Sequence, residues 1–292
     1  MPLRIPRHLA SLVANAASLA AEGTIGVLVE PNPTVYDVFY DVMCSLPFPV
    51  VRCSQLGAGD CAASSFAGVS VVVLAPHLLA GLPPFFDPET TTLYNFEPLT
   101  GGKLTPQVIE VYKRYKVWDY SLSGVSGLRS LGVSATLYPL TYSPYTLRPH
   151  PSPPSKDIHL LFYGTVTPLR RAAIDSLRSA GTRVYATTDA TFGLYHAGLD
   201  ELVFRAEAVL VLNTWGRGEW KVARLARLLA NDAFIISEAS GVDEELEGGK
   251  GVVFLEREEL VSGVAEWLLR PAEEREARGR EAGRAWRQSN AA

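Results

Sequence analysis

Two loops in the second half of this 292-residue chain hold residue types that bind anions and polar groups. The first is Tyr163-Gly164-Thr165, at the end of an apolar run and just before Pro168 opens a helical stretch. A glycine between a strand and a helix makes a tight turn at the carboxyl end of a sheet, where open α/β sheets bind ligands. The free amides of a helix start favour an anion such as phosphate. Arg170 and Arg171 on that helix could add bidentate contacts; the plain alternative is a turn followed by solvated arginines. The second loop is Asn213-Thr214-Trp215-Gly216-Arg217-Gly218-Glu219. Glu219 reads either as a carboxylate stabilised by the helix dipole or as an acceptor for sugar hydroxyls. Lys221, Arg224 and Arg227 follow at three-residue spacing. Such a row is ordinarily a solvated face, but beside a nucleotide pocket one member could neutralise a diphosphate.

The first half offers less. His77 and Glu97 each follow a strand-like run. His77 reads as a structural loop residue or one facing a cleft, Glu97 as a turn residue or an acceptor-site base. The chain has no Gly-x-Ser-x-Gly elbow, no Walker lysine loop and no Gly-x-Gly-x-x-Gly. Gly57-Ala58-Gly59-Asp60 lacks the third glycine and the preceding strand. The five histidines have no metal-ligand spacing. Cys44, Cys53 and Cys61 are an odd set without paired spacing, read as incidental or buried thiols in a reducing compartment.

The elements that must position these residues alternate between strand and helix. In the first half, strands are expected at 25–30, 69–75, Thr91–Phe96, Lys116–Tyr120 and Ala135–Tyr138. Helices are expected at Tyr36–Ser45 and Pro106–Tyr115. The second half reads as strands at Ile158–Tyr163, Arg183–Ala186, Ala208–Asn213, Phe234–Ser237 and Gly251–Phe254. Its helices fall at Pro168–Ser179, Leu199–Ala206, Glu219–Ala230 and about Glu258–Leu269, and Ala272–Gln288 is a charged, solvated terminal helix. Continuous apolar runs indicate strands covered on both faces, as in a parallel sheet. Five prolines in 143–156 exclude helix and central strand and suit a connecting segment. The expected domains are 1–145 and 157–292, joined by a Pro-rich linker over 146–156.

Hydrophobic residues at 47% and charged residues at 20% exclude disorder. A net charge of −4 argues against nucleic acid as a partner. No apolar run reaches the ~18–20 residues of a membrane helix, so no transmembrane segment is expected. The expected location is the cytoplasm, with organelle import left open by an acid-free stretch from Met1 to Ala21.

The ordered blocks LFYGTVTPLRR, VLVLNTWGRGEWKVARLARLLANDAFIISEASG and GVVF resemble the carboxyl-terminal domain of group 1, GT-B glycosyltransferases, nearest the CgeB-like subgroup. The resemblance covers roughly residues 155–270. Tyr94-Asn95-Phe96-Glu97, Val117-Trp118-Asp119-Tyr120 and Tyr138-Pro139 are similar to relatives of that subgroup. It implies an α/β fold of two Rossmann-like, doubly wound domains facing a central cleft. It also implies a retaining, metal-independent transfer from a nucleoside-diphosphate sugar to an unknown acceptor, with no cofactor beyond that donor. Gly164 and Thr165 match the donor-phosphate loop, with Arg170, Arg171, Asn213 and Thr214 expected beside the donor. Glu219 matches the first family glutamate, near the donor sugar. Arg224 is expected with Glu219 in the catalytic set, and Arg170, Arg171 or Arg224 as the phosphate clamp. The second family glutamate, which holds ribose, falls on Arg227, and a family glycine has become Asp232. These departures motivate the alternative of a non-catalytic scaffold or subunit of a larger assembly. A different Rossmann-type nucleotide or sugar-phosphate enzyme is a third, weaker reading.

Overall fold

The computed structural model describes residues 23–29, 43, 46, 48, 50–53, 61, 66–79, 81–99, 102–142, 146–148, 154–187, 197–214, 222–240 and 251–288. The chain divides into two compact units, Met1–Pro139 and Leu140–Ala292. Among the described residues no helix is long and apolar enough to cross a membrane.

The first unit is built on the parallel strands β1 (Thr24–Val29), β2 (Val50–Cys53), β3 (Ser70–Leu74), β4 (Thr91–Asn95), β5 (Lys116–Asp119) and β6 (Ala135–Leu137). Their order across the sheet is β2-β1-β3-β4-β5-β6. Val71–Leu74 is buried without a break, as a strand covered on both faces requires. Val27, Val71, Val73, Leu93 and Val117 share one core cluster with Ile109, Tyr112 and Leu128 of the helices. Helix α1 (Pro106–Tyr112) starts where expected, with Thr105 accepting a hydrogen bond from the Val108 amide and Pro106 opening the first turn. It ends at Tyr112, short of the expected Tyr115.

Among the described residues, β2, helix α2 (Leu122–Ser130) and a 3-10 turn at Pro76–Leu78 are absent from the sequence reading. Gly124 and Gly127 lower the helix propensity of α2, yet each is there for contact. A Cβ on Gly124 would overlap the Asp119 carboxylate, and one on Gly127 would overlap Leu99. Ser121 caps the helix by accepting from the Gly124 amide at 2.9 Å. The helix expected at Tyr36–Ser45 lies outside the described residues. The cysteine reading is corrected: Cys53, at the end of β2, and Cys61 form a buried disulfide with Cα atoms 5.8 Å apart. Folding, rather than sequence spacing, brings the two together.

The second unit holds the parallel strands β7 (Leu160–Phe162), β8 (Val184–Ala186), β9 (Val209–Val211), β10 (Ile235–Glu238) and β11 (Val253–Leu255). Their order is β11-β10-β9-β7-β8. Its helices are α3 (Pro168–Ser179), α4 (Ala197–Arg205), α5 (Val222–Ala230), α6 (Leu260–Leu269) and α7 (Ala272–Gln288). Leu160, Phe162, Leu210 and Ile236 of the sheet share a core with Ile174, Leu177 and Val264 of α3 and α6.

The terminal helix is not the solvated rod expected. Arg275, Gly279, Ala282, Gly283 and Trp286 lie on one stripe of α7 and are buried, and the helix packs against α5. Small residues at 279, 282 and 283 let the backbones close: a Cβ on Gly279 or Gly283 would run into Asp232. Asp232 itself ends α5 with φ 55, in the left-handed region. The amides of Asp232 and Ala233 donate to Leu229 O and Leu228 O, closing the helix end as a Schellman motif. An aspartate is therefore accommodated where the resembled family has glycine. Its carboxylate accepts from Arg287 of α7 at 2.8 Å.

Candidate functional site

Both sheets share a topology in which the second strand lies outside the first and the third lies on its other side. The chain order reverses between β1 and β3 in the first unit, and between β7 and β9 in the second. Strand exits at such a switch point diverge and leave a crevice at the carboxyl edge of the sheet. The exits of β7 and β9 are the two loops singled out by residue type.

Gly164 leaves β7 with φ 112, a conformation that disfavours any side chain. Its amide donates to Thr187 Oγ1, at the exit of β8, at 3.4 Å. A Cβ at this position would lie 2.7 Å from Nη2 of Arg224 on α5. The Arg224 guanidinium lies 5.4 Å from the ring centroid of Tyr163. Its Nη1 is buried and has no hydrogen-bond partner among the described residues. A cation half-covered by an aromatic ring, with one donor unsatisfied, is poised for an anion.

The remaining expected residues divide. Arg170 is 3% exposed, and its donors turn inward. Nη1 donates to Thr165 O and Nη2 to Leu212 O, each at 2.9 Å, and Nε donates to Asn213 O at 3.3 Å. The guanidinium thus bridges the switch point and ties the two loops together. Arg171 and Thr165 are exposed, and Thr214 is half-buried. Asn213 is buried; its amide donates to Glu238 Oε2 at 2.8 Å and its Nδ2 to Ala239 O at 3.0 Å. Asn213 Oδ1 is buried without a hydrogen-bond partner among the described residues. Gly164 and Arg224 are brought together, as are Thr165, Arg170 and Asn213. Glu219 lies outside the described residues.

Glu238 was missed in the sequence, although an acid ending an apolar strand is the same signal that marked Glu97. It is 3% exposed at the end of β10 and pairs with Arg257, whose Nε donates to Oε1 at 2.6 Å. Arg227, which the resemblance sets at the family's ribose-binding glutamate, is committed to a carboxylate instead. It forms an ion pair with Asp200 of α4, and Arg148 Nε lies 3.6 Å from the other oxygen of the same carboxylate. Asn231 at the end of α5 accepts from the Arg148 amide and donates to Thr146 O at 3.0 Å. Residues 146–148, expected to begin the linker, are therefore clasped by the second unit.

In the first unit the exit of β3 is marked by Ala75, a non-glycine residue at φ 50, ψ 50. It leads into a 3-10 turn at Pro76–Leu78 that carries His77. His77 Nε2 lies 3.1 Å from Glu97 Oε1, past the neighbouring strand β4, and Lys103 Nζ lies 3.1 Å from the same oxygen. The His77 side chain is 2% exposed and the Glu97 side chain 15%. Burial works to raise the Glu97 carboxyl, but the close contacts with His77 and Lys103 outweigh it and hold the group below the usual carboxylate range. Asp119, at the end of β5, accepts from Asn95 Nδ2 at 2.7 Å and from the Ser121 amide at 2.9 Å. Among the described residues no three His, Cys, Asp or Glu side chains converge to hold a metal ion.

Solved structures share this architecture. A DNA-modifying β-glucosyltransferase, solved with and without uridine diphosphoglucose, matches with a TM-score of 0.55 at 11% identity, over 92% of this chain and 95% of that one. The T4 phage β-glucosyltransferase in complex with UDP-glucose gives 0.54 at 11% identity and the same coverage. The fold is GT-B. At 11% identity the likeness establishes the GT-B architecture and nothing finer. No protein-family model matches the chain, and no curated protein matches it in sequence.

Proposed function

We propose that this GT-B chain is a glycosyltransferase whose second unit binds a nucleoside-diphosphate sugar at the exits of β7 and β9. The observation that carries the reading is Arg224: a guanidinium over the Tyr163 ring, one buried donor unsatisfied among the described residues, beside a glycine that leaves room for it. A nucleoside diphosphate leaves readily when cations and backbone amides meet its developing charge. Arg224 supplies the cation, the turn at Gly164 and Thr165 lines the approach, and Arg170 holds that turn to the β9 exit. Glu219 is assigned to the donor sugar and Arg171 to the outer phosphate edge, both on the resemblance. Retention of configuration and independence from metal also belong to the resemblance. The solved neighbours, one with uridine diphosphoglucose and one in complex with UDP-glucose, support a sugar nucleotide as the donor class.

The test is a calorimetric panel of UDP, GDP, ADP and CMP, with and without magnesium, followed by transfer assays. One nucleotide binding without magnesium, and transfer lost in Arg224→Ala and Glu219→Ala at unchanged folding, is the expected result. Normal transfer by both variants would sink the site assignment. One observation favours a second reading, a non-catalytic scaffold: the residue standing where a ribose-binding carboxylate is expected is Arg227, committed to Asp200. A well-folded chain that binds none of the four nucleotides would decide for the scaffold.

A further inference from the structure

Glu238 and Arg257 lie in a circuit of hydrogen bonds and an ion pair that crosses every strand exit of the candidate donor site. Arg257 Nε donates to Glu238 Oε1 at 2.6 Å, and Glu238 Oε2 accepts from the Asn213 amide at 2.8 Å. Asn213 Nδ2 then reaches Ala239 O, while Asn213 O accepts from Arg170, which also holds Leu212 O and Thr165 O. Arg257 Nη1 closes the circuit by donating to Leu169 O, in the first turn of α3, at 3.3 Å. The exits of β7, β9 and β10 and the start of α3 are joined through one carboxylate and two guanidinium groups.

This is an expensive arrangement for stability alone. A buried charge costs several kcal/mol to desolvate, and an apolar trio of similar volume often serves as well. What the circuit provides is fixed backbone geometry at a place where no regular ladder continues. Asn213 lies past the end of β9, so its amide needs a partner, and Glu238 is that partner. Asn213 Oδ1 is left buried without a hydrogen-bond partner among the described residues. The charges add to one excess cation, which suits an anionic ligand.

We propose that Glu238 is a positioning residue of the donor site. With Arg257 it fixes the β9 exit, so that Asn213 and Thr214 are held in the conformation that receives the nucleoside diphosphate. The inference rests on the donor-site reading above. Glu238 does not touch the ligand; it acts through the Asn213 amide.

Its test uses the full chain, with UDP and the other three diphosphate and monophosphate probes of the panel as ligands. Calorimetry compares wild type, Glu238→Gln, Arg257→Gln and the double variant, well below each one's melting temperature. Hydrogen exchange reads the Asn213 amide in the same proteins. The expected result is a rise in Kd of about tenfold for each single variant, the scale at which loss of a supporting hydrogen-bond partner acts on a site. The double variant adds little more, and Asn213 exchange quickens without bulk unfolding. A lowered melting temperature with unchanged Kd means the circuit is structural only and overturns the proposal. Arg257 is partly exposed, so Arg257→Gln keeps the question answerable if Glu238→Gln does not fold. Wild type that binds no probe overturns the donor-site reading and this inference with it; wild type that binds while the variants bind equally overturns this inference alone.

Discussion

A methyl group on Gly164 would push against Nη2 of Arg224 and place a side chain at φ 112. Gly164→Ala therefore disturbs the backbone turn and the cation together. We expect a stability loss of about 1–3 kcal/mol and weaker nucleotide binding, read by urea unfolding and calorimetry. Arg224→Ala separates the two effects. Its Nη1 has no hydrogen-bond partner among the described residues, so unfolding should move little, while losing a charge-assisted contact worth roughly 1.5–3 kcal/mol weakens UDP about 10- to 100-fold. Unchanged affinity would remove Arg224 from the donor site. In the first unit, Glu97 is held below the usual carboxylate range. A carboxyl lowered on folding contributes stability above its unfolded value, about 4.5, and that contribution is lost as pH falls through the lower folded value. His77→Ala removes the larger of the two influences that oppose burial and leaves Lys103 alone against it. The acid limb of the stability curve should then begin at higher pH than in wild type; coincident limbs would show that His77 does not hold the charge.

Helix α5 carries two arginines three positions apart with different tasks, and the sequence shows them as one basic row. Arg224 faces Tyr163 and Gly164, while Arg227 turns to Asp200 of α4. Removing Arg227 leaves a partly buried aspartate with Arg148 as its remaining cation among the described residues, at a cost on the order of 3 kcal/mol. Arg227→Ala should thus lower the melting temperature and leave UDP affinity unchanged, the inverse of Arg224→Ala. An equal loss of affinity would return Arg227 to the ligand. Elements with continuous apolar runs were legible in the sequence. So were β7, β9 and β10, and helices with Thr-Pro starts such as α3, because burial on both faces and capping are local signals. Helix α2 was not legible, since Gly124 and Gly127 answer to Asp119 and Leu99, which only the fold brings near. The loops at Gly164 and Asn213 could be read from glycine and polar types at strand ends. Which arginine points at the crevice and which is spent on carbonyls could not, because Arg170, Arg224 and Arg227 differ only in what surrounds them.

Each unit owns a core, one around Val73 and Leu93 and the other around Leu160 and Ile236, so each can be followed separately through unfolding. Their levers are distinct. The Cys53–Cys61 disulfide lies in the first unit and the candidate donor loops in the second. A short-loop disulfide contributes about 2–4 kcal/mol by constraining the unfolded chain, and reductant removes that from the first unit. A nucleotide at about 100 times its Kd adds ~2.7 kcal/mol to whatever folds around it. Differential scanning calorimetry should therefore show two transitions. Reductant, or Cys53→Ser with Cys61→Ser, moves one of them, and the bound nucleotide moves the other. If nucleotide moves the transition that reductant also moves, the donor is held by the first unit, and assignment of the donor to Gly164 and Arg224 fails. If a single transition answers to both, the units unfold as one cooperative body, and the stability lost at the disulfide is felt at the donor loops.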